Sequence, residues 1–214
     1  DPTHGAQQGS LFKAYYGERC FMPLHIYEGQ SGKLITTILR PGGRPTGEEI
    51  ALILKRVVAY LRQAWPSVAL FLRGDSHFSA PEGHAFCDAE KVTFVLGQGS
   101  NAVLQRKAAE LLAQAQTLHR VAQAEKPASA PDETVRLFTS FSYQADTWEK
   151  PQRVIGKVEV SNRGDNLRFV VTSLQSSQPS FIYKKIYCAR GRMEHYIKDH
   201  KTFLLSARTS CQSW

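Results

Sequence analysis

At 214 residues the chain can bury a full core as one large domain, or one domain with an insertion, which excludes a peptide or a tail. Its 27 Lys and Arg against 19 Asp and Glu give a net charge of +8, which favours a polyanionic partner such as nucleic acid, although the cations are scattered along the chain. Cys20, Cys87, Cys188 and Cys211 form no CxxC pair, which argues against a zinc ribbon or disulfide scaffold, and no stretch resembles a transmembrane helix or signal peptide, so a soluble cytoplasmic protein with reduced thiols is expected.

In chain order, residues 21–28 and 33–40 are rich in Ile, Leu, Thr and aromatics and flank Gly29-Gln30-Ser31-Gly32, which predicts an antiparallel hairpin. Pro41-Gly42-Gly43 ends the second strand. Thr46-Gly47-Glu48-Glu49 is a capping box opening a helix to about Gln63, stopped by Trp65-Pro66. The apolar run 68–72 predicts a strand buried on both faces, delivering Arg73-Gly74-Asp75-Ser76-His77 at its C-terminal end, where sites of α/β sheets lie. Ser79-Ala80-Pro81-Glu82 starts a second helix, and residues 92–96 read as another buried strand. A long Ala, Leu and Gln-rich helix is expected from Asn101 to about Glu125, then a linker over 126–131. Residues 135–148, 153–160 and 167–172 alternate apolar and polar side chains, as an antiparallel meander would.

After a polar linker at 175–180 a last helix is expected, carrying the pattern Y-x2-R-x3-E-x6-K at Tyr187, Arg190, Glu194 and Lys201. At about 100° per residue, these offsets fall within an arc of roughly 60° along about 21 Å of one α-helix. One carboxylate and two cations would share a stripe. Ile186, Met193, Ile197 and Leu204 would form a neighbouring apolar stripe that docks on a core.

This order of elements resembles the ribonuclease H-like fold of DDE transposases. The Tyr187, Arg190, Glu194 and Lys201 spacing is similar to that of a large group of bacterial insertion-sequence transposases. Pro2-Thr3-His4-Gly5, Tyr15-Tyr16-Gly17, Pro23-Leu24-His25, residues 72–77 and Tyr187-Cys188-Ala189-Arg190-Gly191 resemble the insertion sequence 1380 group. The resemblance implies an α/β fold with a mixed sheet flanked by helices, interrupted by a helix plus antiparallel β insertion. It implies a catalytic core over 1–98 and 176–214, incomplete at both ends, and an insertion over 99–175. It also places the first catalytic Asp upstream of Asp1, so that the chain is expected to be an internal fragment, inactive alone.

The implied activity is metal-dependent phosphodiester cleavage and strand transfer. In-line attack of this kind uses two divalent ions about 3.5–4 Å apart, Mg2+ or Mn2+ in its place, held by oxygen ligands. Asp75 and Glu194 are the catalytic and metal-holding candidates. Arg190 and Lys201 would contact phosphates and Tyr187 would donate to a phosphate or pack against a sugar, although an Arg four residues before a Glu is commonly a surface ion pair on a helix. Arg73 would be a phosphate contact or a charge partner of Asp75, and His77 would pair with a phosphate or tune the carboxylate, although a His near a strand end is more often a hydrogen-bonded structural residue; the remaining His residues show no metal-ligand spacing, with His195 and His200 expected to be solvated. Trp148 would either stack on a base flipped from the DNA end or pack against Phe141 or Tyr143. The implied partners are double-stranded DNA, as terminal inverted repeats and target, and a second copy of the chain, in the bacterial nucleoid. The alternatives are a ribonuclease H-like nuclease and a truncated or domesticated DNA-binding remnant that does not cut.

Overall fold

The computed structural model describes residues 3, 7–125, 127 and 133–205. Of the segments singled out above, Asp1, Pro2, His4 and Gly5, most of the 126–131 linker and Cys211 lie outside the described residues. The chain divides into two compact units, Thr46–Ala189 and Asp1–Pro45 with Arg190–Trp214.

The smaller unit contains two hairpins. Strands β1 (Leu11–Lys13) and β2 (Glu18–Cys20) pair antiparallel, an element that the sequence did not suggest. The expected hairpin forms from β3 (Leu24–Tyr27) and β4 (Leu34–Ile38), in antiparallel register Leu24↔Ile38. Its loop closes on the Glu28 carboxylate, which accepts from the Gln30 N–H at 2.9 Å, and Gly32 takes a left-handed φ of 72°.

The larger unit begins with α1 (Gly47–Ala64), where the Thr46 hydroxyl accepts from the Glu49 N–H at 3.1 Å, as the capping box predicts. It continues through β5 (Phe71–Gly74), α2 (Pro81–Ala89), β6 (Thr93–Gln98), α3 (Ala102–Ala124), β7 (Val135–Tyr143), β8 (Gln152–Ser161) and β9 (Gly164–Thr172). A short turn, α4 (Pro179–Phe181), leads into a π-helical segment, Ile182–Tyr187, and a 3-10 turn, Cys188–Gly191. Helix α5 (Arg192–Phe203) belongs to the smaller unit. The five strands of the larger unit form one mixed sheet in the order β5-β6-β9-β8-β7, with β5 and β6 parallel and the other pairs antiparallel.

Strand alternation explains why both faces of this sheet are covered. Phe94 and Leu96 of β6, Val154 and Val158 of β8 and Phe169 and Val171 of β9 point into a core completed by Leu104, Ala108 and Ala115 of α3, Cys87 of α2 and Val58 of α1. The intervening Val95, Ile155 and Val170 face Ile182 and Tyr183 of the π-helical segment. The meander is therefore continuous with β6, not a separate sheet. Burial pushes the Cys87 thiol up to about 12, which leaves it unreactive near neutrality.

Two expectations shift. The strand before Asp75 lies at Phe71–Gly74 instead of 68–72, and Val68 and Phe71 stay about two-fifths exposed. Among the described residues β5 pairs with β6 alone and so ends the five-stranded sheet. The last helix is not one continuous α-helix. The Cys188 N–H donates to the Tyr183 carbonyl five residues back, and the 3-10 turn follows, so the 100° rule does not run from Tyr187 to Glu194. The apolar stripe is not a buried one either, since Leu204 is 69% exposed and α5 has no buried residue.

Asn101 joins two elements. Its side chain accepts from the Leu104 N–H at 2.9 Å to cap α3 and donates to the Tyr143 hydroxyl of β7 at 3.0 Å. Asn101→Ala is expected to destabilise the chain by about 1–2 kcal/mol, read as a lower urea midpoint at unchanged m-value.

Candidate active site

Asp75 follows the last residue of β5, and the chain turns at once: the Phe78 N–H donates to the Asp75 carbonyl at 3.2 Å. The carboxylate stabilises that turn itself. Oδ1 accepts from the His77 N–H at 3.0 Å, and His77 Nδ1 lies 3.2 Å from the same oxygen. An Asp bonding the backbone two residues on is the ordinary Asx arrangement, and here it sets the direction of the carboxylate. Both side chains stay a little over one third exposed, so Asp75 is held in place yet accessible.

The parallel register of β5 and β6, with Gly74 beside Leu96, brings Gly97 against this turn. A Cβ on Gly97 would lie 3.1 Å from the Ser76 nitrogen, 3.3 Å from the Asp75 carbonyl carbon and 2.8 Å from the Tyr187 hydroxyl. Glycine is thus what lets the Tyr187 hydroxyl and the Asp75–Ser76 peptide share one spot. The π-helical segment that carries Tyr187 is tied to the same strand end, since Arg73 Nη1 donates to the Ile186 carbonyl at 3.4 Å. Arg73, Asp75, His77 and Tyr187 therefore form one cluster at the C-terminal end of β5. The expected strand stops at residue 96, so the only signal for Gly97 in the sequence is a glycine directly after that apolar run; the observed strand includes it, and a glycine within a strand often marks close backbone approach.

Arg190, Glu194 and Lys201 belong to the smaller unit. Arg190 Nη1 lies 3.8 Å from Glu194 Oε1, and the Glu194 side chain is 74% exposed, the geometry of a surface pair. Glu194 and Lys201, both on α5, keep the seven-residue spacing that puts them on one helix face, whereas Tyr187 and Arg190 precede α5. Helix α5 packs on the β3–β4 hairpin. The Tyr196 ring sits over Gly32, where a Cβ would approach it to 2.5 Å, and its centroid is 5.5 Å from that of Tyr27. His200 is not solvated as expected: its ring lies 5.7 Å from His25, and its Nδ1 is buried. Burial, with His200 and Lys201 nearby, lowers the pKa of His25.

Trp148 is 7% exposed, edge-on to Tyr143 at 5.3 Å and to His84 at 4.7 Å. To stack on a base it would have to leave this packing. His84 lies flat on Phe94, with ring centroids 5.2 Å apart, and burial lowers its pKa to about 4 despite the nearby Asp88. Among the described residues no three His, Cys, Asp or Glu side chains gather into a metal-binding group. The carboxylates of Asp75 and Glu194 are hard oxygen donors, the ligand type that Mg2+ and Mn2+ accept. No helix among the described residues is long and apolar enough to cross a membrane.

A five-stranded mixed sheet flanked by helices, with Asp75 just past the end of β5, defines an α/β fold of the ribonuclease H-like class. Compared with known protein families, residues 1–214 match the one described as Transposase DDE domain group 1, and the chain belongs to that family, whose members are enzymes of the transposase kind. No curated protein matches the chain.

Two outcomes follow from this geometry. Gly97→Ala is expected to destabilise by about 1–3 kcal/mol, and Tyr187→Phe in the same chain to recover part of the loss by removing the clashing hydroxyl. A double-mutant cycle from denaturant unfolding reads that coupling. For His84, a folded pKa of about 4 below the ordinary 6.5 means that the unfolded chain binds the proton first. Its contribution is complete above pH 6.5, and about 3 kcal/mol is lost as pH falls from 6.5 to 4. The slope of stability against pH across that window is expected to be shallower in His84→Gln than in the wild type.

Proposed function

We propose that the chain is the catalytic core of a DNA transposase of the insertion sequence 1380 group, which cleaves phosphodiester bonds at transposon ends and joins them to target DNA. Asp75 and Glu194 are the residues that would hold two Mg2+ or Mn2+ ions. When bound, such ions activate an attacking water or 3′-hydroxyl and stabilise the leaving oxygen. The protein's own part is positioning. His77 fixes the Asp75 carboxylate, Arg73 and Tyr187 border it as donors for phosphate oxygens, and Arg190 and Lys201 do the same around Glu194. The reading takes residues 1–98 and 176–214 as the catalytic core and 99–175 as its insertion. Its substrates are the terminal inverted repeats and a target duplex, bound by a homodimer in the synaptic complex.

The observation that carries this reading is the Asp75 carboxylate, about one third exposed and aimed by His77 at a strand end beside Arg73 and Tyr187, in a chain that belongs to the DDE transposase family. The test is nicking of a duplex bearing the element's own terminal sequence by the whole protein, with Mg2+ or Mn2+. Asp75→Asn and Glu194→Gln are each expected to lower the rate at least about 100-fold while far-UV circular dichroism stays unchanged. Cutting at the wild-type rate by both variants would remove the metal-site assignment. A folded wild-type protein that binds the duplex but never cuts it would leave the DNA-binding remnant as the answer.

A further inference from the structure

A polar relay runs from the buried core of the larger unit to the end of β6, and none of its members belongs to the Asp75 cluster. His84 is 4% exposed, and its ring plane is fixed by Phe94 beneath and Trp148 at its edge. Its Nε2 lies 3.3 Å from the Ser79 hydroxyl, which lies 2.6 Å from the side-chain oxygen of Gln98. The direction of the relay follows from what each atom can do. His84 Nδ1 is buried with no hydrogen-bond partner among the described residues. A buried N–H without an acceptor is rarer in folded proteins than an unused lone pair, so the imidazole proton sits on Nε2. Nε2–H then donates to Ser79 Oγ, and the Ser79 hydroxyl is left to donate to Gln98 Oε1. The amide of Gln98 is thereby oriented with its NH2 outward. One of its hydrogens reaches only the Gly99 carbonyl at 3.4 Å, and the other has no acceptor among the described residues.

Place gives that donor a meaning. In the parallel register of β5 and β6, Gly97 touches the Asp75–Ser76 peptide, and Gln98, the next residue of the strand, is half-buried at the same strand end, its side chain leaving on the other face of the sheet towards Ser79, four residues after Asp75. The C-terminal ends of strands are where α/β sheets meet their ligands.

We infer that Gln98 is a DNA contact, its amide NH2 donating to a backbone phosphate oxygen next to the bond positioned at Asp75, and that Ser79 and His84 are positioning residues that hold the amide in that orientation. The inference rests on the function proposed above and extends it from the carboxylates to the substrate backbone. A neutral amide suits this place. It binds phosphate without adding a cation beside the metal-holding carboxylate and without displacing a counterion from the DNA.

The test measures binding of the whole protein to a fluorescent duplex carrying the element's terminal sequence, by anisotropy over a series of salt concentrations, with thermal unfolding in parallel. Gln98→Ala is expected to weaken binding about five- to tenfold at every salt concentration, with the slope of log affinity against log salt unchanged. Gln98→Glu is expected to weaken it further through repulsion. Ser79→Ala is expected to lose part of the same affinity, and Ser79→Thr, which keeps the hydroxyl, to restore it. Methylphosphonate substitution of the contacted phosphate weakens the wild type and adds nothing to Gln98→Ala. Wild-type binding by Gln98→Ala and Gln98→Glu, or a changed salt slope, would overturn the contact. Equal binding by Ser79→Ala and wild type would overturn the positioning role. Asp75→Asn separates the two layers: loss of cutting with binding retained supports the proposed function, and wild-type cutting by Asp75→Asn removes the catalytic role proposed for Asp75 while the Gln98 binding result still decides the contact.

Discussion

The pairing of β5 with β6, and the burial of β6 on both faces, is the constraint on which the rest of the larger unit depends. Phe94 and Leu96 turn to the helices, Val95 turns to the π-helical segment, and all three are fully buried. A strand so enclosed has no solvent face to slip towards, since a shift by one residue would exchange its two apolar sets. It therefore fixes both neighbours, β5 in parallel and β9 antiparallel. The register with β5 decides where Asp75 emerges, and the register with β9 ties the meander into the same sheet.

The Asp75 cluster is built from this frame by short-range means. Asp75 makes its own turn through the His77 N–H, and Gly97 leaves room for the Tyr187 hydroxyl against that turn. The π-helical segment reaches the site while burying Ile182 and Tyr183, and the Arg73 bond to the Ile186 carbonyl secures its end. An extra residue per turn rotates the following side chains relative to an α-helix, and π segments are common at functional sites for that reason. Burial holds the Tyr183 phenol up to about 12, so it stays a neutral packing group beside Tyr187.

Much of the element order was legible because each signal was local. The capping box at Thr46, the Gly29–Gly32 loop, Pro81 at the start of α2 and the alternation of residues 153–160 all act within a few residues, and each element forms near its expected place. The misses are non-local. Val68 and Phe71 read as a doubly buried run, yet β5 is an edge strand, and nothing in five apolar residues states how many neighbours a strand will have. The His25–His200 contact joins two segments far apart in the chain, which no spacing rule reaches.

What the sequence determined by itself was the chemistry available: Asp75 after an apolar run, Glu194 and Lys201 seven residues apart, and the Tyr and Arg before them. Periodicity and capping act through neighbouring residues, so they survive in one dimension. Only the tertiary structure decided that Tyr187 and Arg190 lie outside α5, that Trp148 packs on His84 and Tyr143, that Gly97 stands beside the Asp75 turn and that Gln98 meets Ser79. Those outcomes depend on sheet order, strand register and the helical winding that best buries Ile182 and Tyr183. Each is settled by packing among distant residues, where the free energy of burial outweighs local preference.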